Sequence, residues 1–168
     1  MLFADLASAF DTVRHDDIRR ALFGAGIVGQ MWLLLDDLLA SDLASVNING
    51  VSSGFFKLYA GTAQGRKLSA HLFNCVMRYL HDCIAQRSQG IEVSSGASPV
   101  LVNELATQIV DIQYSDDLAA PAAGAHQLKQ IAHGCEDFSR LHGPKFNLGR
   151  CKAAILGPCL DHEVTYLG

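Results

Sequence analysis

The tetrapeptide Tyr114-Ser115-Asp116-Asp117, which closes an apolar run over residues 109–114, constrains this chain more than any other stretch. Isoleucine, valine and tyrosine there predict a strand, with Val110, Ile112 and Tyr114 on one face and Asp111 and Gln113 on the other. Two carboxylates at a strand end or tight turn repel each other, and a divalent cation removes that cost. Alone, the tetrapeptide also fits a solvated turn, because Asp-Asp pairs recur at Asp16-Asp17 and Asp36-Asp37.

Other segments narrow the choice. Near the start, Phe3-Ala4-Asp5-Leu6-Ala7-Ser8-Ala9-Phe10-Asp11 is a short apolar run ending on a carboxylate, then small residues and an aromatic. In the middle, Gly61-Thr62-Ala63-Gln64-Gly65-Arg66-Lys67-Leu68-Ser69-Ala70-His71-Leu72-Phe73-Asn74 is a glycine-punctuated loop entering a helix. Late in the chain come Phe146-Asn147-Leu148-Gly149-Arg150-Cys151-Lys152 and Tyr166-Leu167-Gly168. In this order, and across nearly the whole chain, these segments resemble the palm of reverse transcriptases, most closely those of non-LTR retrotransposons.

The resemblance implies an RNA-directed DNA polymerase domain, with an RNA template, a DNA primer and deoxynucleotides as partners. Nucleotidyl transfer needs an activated primer 3′-hydroxyl and a neutralised pyrophosphate, and two metal ions about 3.5–4 Å apart supply both. Such ions are hard and take oxygen ligands, so Mg2+, or Mn2+ in its place, is the implied cofactor. The family's ligands fall on Asp5 and Asp116, with Asp117 the third carboxylate. Their separation along the chain requires two strands side by side. By the same resemblance, Phe10, Gln64, Gly65, Arg66 and Lys152 contact the nucleotide. Phe10 lies where an aromatic packs against the incoming sugar, and it fits a core aromatic equally well. Glycine lets backbone approach a base or phosphate closely, and glutamine can bond a sugar or base edge. Asp11 is expected to cap the following helix.

Some positions depart from the family pattern. Ala70 stands where a proline follows the serine, and Ser115 replaces an alanine. After Asp117, the run Leu118-Ala119-Ala120-Pro121 is a weak strand, so the return strand is expected to be short or frayed. Pro144 replaces an apolar residue, and Arg150 takes the place of a lysine, with Lys152 nearby. Arginine does not release a proton near neutral pH. The fingers that precede the first aspartate and the thumb that follows Tyr166-Leu167-Gly168 are expected to be missing. The chain then reads as a palm alone, expected to be inactive as an isolated fragment, and a catalytically inactive retroelement remnant is the alternative to a working polymerase.

Composition bears on partners. A net charge of −4 and scattered cations (Arg14, Arg19, Arg20; Arg66, Lys67; Lys145, Arg150, Lys152) predict weak nucleic-acid binding by this chain alone. Five cysteines form no C-x-x-C pattern, and with no signal peptide they predict reduced thiols and an intracellular location. The leucine-rich stretch 31–39 is interrupted by Asp36-Asp37 and too short for a membrane span.

The expected layout is one α+β domain over residues 1–168, an antiparallel sheet with helices packed on one face. Strands are predicted at 2–5, 109–114 and 153–156, with a hairpin of 44–48 and 55–59 around Asn49-Gly50. Helices are predicted at 16–23, 30–39, 69–87 and 126–141, with a polar loop at 94–98.

Overall fold

The apolar run at the start of the chain becomes the middle of a sheet. In the computed structural model, which describes residues 1–62, 67–93 and 107–154, β1 (Leu2–Ala7) buries Ala4 and Leu6 and turns Phe3, Asp5 and Ala7 the other way. Three helices follow: α1 (Ala9–Thr12), α2 (His15–Gly24) and α3 (Gly29–Ala40). Four two-residue strands come next: β2 (Leu43–Ala44), β3 (Asn47–Ile48), β4 (Val51–Ser52) and β5 (Phe56–Lys57). Then come α4 (Ser69–Ala85), β6 (Ile91–Val93), β7 (Thr107–Ile109), β8 (Ile112–Tyr114) and β9 (Asp117–Ala120). Helix α5 (Ala125–His142) and the short strands β10 (Lys145–Phe146) and β11 (Lys152–Ala153) complete the described chain. Among the described residues every strand pairing is antiparallel, and helices and sheets are mixed along the chain. No helix among the described residues is long and apolar enough to cross a membrane.

Two compact units are distinguishable. The first comprises the described residues of Met1–Ala7, Leu80–Leu141 and Lys145–Gly168. Its main sheet runs β10-β1-β9-β8, with β11 beside β10 on the same edge of β1. One face carries Ala4, Leu6, Leu118 and Ala120, all buried, and Leu80, Ile84, Ile131, Cys135 and Phe138 supply the helical part of this unit's core. At Gly134 of α5 a methyl group would lie 2.9 Å from the Cys83 carbonyl oxygen and the Ile84 Cα, so the two helices meet backbone to backbone there. Burial pushes the Cys135 thiol up to about 12, which keeps it a neutral core group.

The expected strand over 109–114 is two strands. β7 pairs with β6 in a sheet of its own and β8 pairs with β9, so the ladder breaks at Val110 and Asp111. The cause is a polar residue turned inward. The Asp111 carboxylate is buried, accepts from Gln113 Nε2 at 2.5 Å and pairs with His81 Nδ1. Gly90, at φ 72°, lies so close to Ile109 and Val110 that a Cβ would overlap the Ile109 carbonyl. The return strand is expected to be short or frayed; β9 is short, four residues ending before Pro121, but it is not frayed, since it pairs on both edges with Leu118 and Ala120 buried.

The second unit comprises the described residues of Ser8–Tyr79 and His142–Pro144. Helices α2 and α3 fall where the periodicity of the sequence puts them, parted by Gly24-Ala25-Gly26. Asp11 lies within α1 and does not cap α2, whose first turn closes on the Arg14 carbonyl through the Asp17 and Ile18 N–H groups. The predicted hairpin splits into two ladders, β3 with β4 around Asn49-Gly50 and β2 with β5 outside it. Asp17 is buried and is compensated by His142 at 3.2 Å, Arg20 at 3.6 Å and Arg14 at 3.9 Å. Of the last predicted strand, Ala153 pairs with Leu2 in β11, while 155–156 and the loop at 94–98 lie outside the described residues.

Candidate active site

In the first unit, the register of β1 against β9 decides which acidic groups meet. Asp5 lies opposite Asp117, and the Leu6 N–H donates to the Asp116 carbonyl at 3.3 Å. That bond pattern makes Asp5 and Asp117 a non-hydrogen-bonded pair, the kind with Cα atoms about 4.5 Å apart and the closest side chains. Direct partners project from the same face, so both carboxylates leave the sheet on the side opposite Ala4, Leu6, Leu118 and Ala120. Like charges directly opposite destabilise a sheet.

A tight turn brings Asp117 there. Tyr114 pairs with Asp117, leaving Ser115-Asp116 as a two-residue hairpin loop. Ser115 takes φ 56°, a left-handed conformation, and Asp116 does not. Positive φ at the first loop residue alone is the type II′ pattern, normally served by glycine. Asp116 is thus at the corner of the hairpin, with its carbonyl tied to β1. The Tyr114 ring is 83% exposed beside Asp117, a large apolar surface left to solvent.

Cations come from the other edge of β1. Lys145 pairs with Ala7 and Lys152 with Phe3, so both lysines share the face of Asp5. Between them the chain turns, with the Arg150 and Cys151 N–H groups donating to the Asn147 carbonyl at 2.9 and 3.1 Å. The Asn147 N–H donates to the Asp5 carbonyl at 2.8 Å, which holds this turn against the aspartate. From it the Arg150 Nη1 reaches Asp5 Oδ2 at 3.4 Å. Arg150 and Lys145 were not among the sequence-derived site residues. The signal for Arg150 was its place at the lysine position of the late motif, and Lys145 becomes visible only once the β10 register is known.

The remaining candidates belong to the second unit. The Phe10 ring stacks on the buried Phe73, centroids 4.4 Å apart. The Phe10 carbonyl accepts from the Thr62 N–H at 2.7 Å, and Gly61 N–H donates to Val13 at 2.7 Å. Backbone contact at Gly61 is close, since a Cβ there would lie 3.2 Å from the Asp11 carbonyl oxygen. The chain is therefore pinned along residues 10–13 just before Gln64, while Gln64, Gly65 and Arg66 lie outside the described residues.

Among the described residues, no three His, Cys, Asp or Glu side chains are grouped to hold a metal. What the sheet provides is a pair, Asp5 and Asp117. A pair fits Mg2+, which is commonly held by one or two carboxylates with water and substrate phosphate completing its shell. The like-charge pairing itself, with its hard oxygen donors, is what a divalent cation would relieve.

A family model described as reverse transcriptase (RNA-dependent DNA polymerase) matches residues 1–168.

Proposed function

We propose that this chain, which belongs to the reverse transcriptase (RNA-dependent DNA polymerase) family, carries the palm of a polymerase of the non-LTR retrotransposon type that copies RNA into DNA. One observation carries the reading: Asp5 and Asp117, from distant parts of the chain, are cross-strand partners on the face of the sheet that points away from its core. Asp5, Asp117 and the corner residue Asp116 are the carboxylates for Mg2+ or Mn2+. Those ions would supply the charge that activates a primer 3′-hydroxyl and neutralises departing pyrophosphate.

The chain's own residues do the rest. Lys152, on the same sheet face as Asp5, offers a positive charge to the triphosphate of a deoxynucleotide. By the family resemblance Phe10, which stacks on Phe73, is the residue for the sugar, and Gln64, Gly65 and Arg66 are those for base and phosphate. Tyr114 offers an exposed ring to the primer strand, since aromatic faces stack on bases without sequence preference. The partners are an RNA template and a DNA primer. One domain over residues 1–168 does this work, in an intracellular setting.

The test is primer extension by the purified protein on an RNA template with deoxynucleotides and Mg2+ or Mn2+. Extension should appear, and Asp5→Asn, Asp116→Asn and Asp117→Asn should each abolish it. Absence of both extension and Mn2+ uptake would leave a folded but inactive retroelement remnant and overturn the polymerase reading.

A further inference from the structure

The acidic pair already has one cation. Arg150 is 72% exposed, free to go elsewhere, yet its guanidinium lies 3.4 Å from Asp5 Oδ2, an aspartate whose side chain is only 17% exposed. Three features aim it there. The turn that carries it is closed on the Asn147 carbonyl, it is hydrogen-bonded to the backbone of Asp5, and it joins β10 to β11 along one edge of β1. No other ion pair is made by Asp5 or Asp117 among the described residues.

We infer that Arg150 is a built-in counter-ion of the Asp5–Asp117 pair, and that a divalent cation must displace it to bind. This rests on the reading of the pair as a metal site. A guanidinium stays charged at any pH a protein survives, so it cannot leave by losing a proton. A dication on Asp5 and a guanidinium on the same carboxylate oxygen repel, so the two states exclude one another. Displacement is easy, because Arg150 has open solvent around it and the Gly149 beside it adds no side chain to hinder the swing. The metal-free protein is thereby relieved of part of its like-charge repulsion, at the expense of metal affinity. An exposed ion pair is weak and screened by salt, which sets the size of the competition.

Mn2+ binding, followed by loss of the free aquo-ion resonance at low ionic strength, tests this directly. Arg150→Gln should bind Mn2+ about twofold to fivefold more tightly than the native protein. Arg150→Lys should lie between the two, and added salt should narrow the gap. Equal or weaker binding by Arg150→Gln, where the native protein does bind, would overturn the counter-ion role and leave the metal site standing. If neither protein takes up Mn2+, the metal-site reading falls and takes this inference with it.

A metal-free readout is independent. Arg150→Gln should lower the melting temperature by about 1–3 °C. In the Asp5→Asn background the same change should have no effect, and an equal loss there would show that Arg150 acts through something other than Asp5.

Discussion

Two hairpins of this protein have the same loop length and opposite reasons to exist. β3 and β4 turn through Asn49-Gly50, with φ 52° and 84°, the two positive angles that a type I′ turn demands and the residues that best supply them. Their strands bury nothing: Ile48 and Val51 are 66% and 75% exposed. Local polar bonds complete it, from Asn47 Nδ2 to Ser52 Oγ and from the Gly50 N–H to Asn47 Oδ1. β8 and β9 turn through Ser115-Asp116, with serine in a conformation it disfavours, while Leu118 and Ala120 are fully buried and β9 is paired on both edges. One hairpin is written in its turn, the other is imposed by its surroundings. The imposed one carries the candidate chemistry.

The sharpest way to break the comparison is to truncate an equivalent apolar residue in each. Leu118→Ala should cost about 2–5 kcal/mol, enough to threaten folding of the first unit. Val51→Ala should stay within about 0.5 kcal/mol. Chemical denaturation measures both, and similar losses would mean that the exposed hairpin is buried in solution. Next in size is Gly50→Val, which forces a branched side chain to φ 84° at about 1–2 kcal/mol. Its effect should be local. Amide exchange at Ile48 and Val51 should accelerate while the main melting transition stays in place, because the core does not use this hairpin.

The sign reverses at the other turn. Ser115→Gly should stabilise by about 0.5–1 kcal/mol, since glycine accepts φ 56° freely and gives back part of the gain as chain entropy. A loss on denaturant titration would mean that the serine hydroxyl contributes more than its strained backbone costs.

These contrasts also mark what could be read from the sequence. The four longer helices were legible because each shows a 3.6-residue apolar period, as α4 does with buried Leu72, Phe73, Val76, Met77 and Leu80, whereas the four-residue α1 is too short to show one. The Asn49-Gly50 turn was legible because its chemistry is local. The break at Val110-Asp111 was not, since it depends on His81 and Gly90 from elsewhere in the chain. Nor was the strength of β9: alanines that make a poor strand by propensity make a good one between two partners. For the site, motif order pointed to Asp5 and the Asp116-Asp117 pair, but only the register says that Asp117 is the residue opposite Asp5. Arg150 was visible as a departure from the family pattern, whereas its ion pair required three dimensions.

The smallest effect tests why the imposed hairpin is tolerated at all. A chain selected for stability alone would not set Asp117 against Asp5, because like charges directly opposite on a sheet cost roughly 0.2–1 kcal/mol. Asp117→Asn keeps the shape of the side chain, removes one charge and leaves Arg150 its partner on Asp5. The metal-free protein should therefore gain about 0.2–1 kcal/mol at low ionic strength, with the gain shrinking as salt screens the pair. The same substitution should abolish Mn2+ uptake. Opposite movements of stability and metal binding are the signature of acidic groups retained for chemistry, a trade common where a site must be strained to work. If Asp117→Asn lowers stability as well as metal binding, the carboxylate is holding the turn together, and its pairing with Asp5 is architecture.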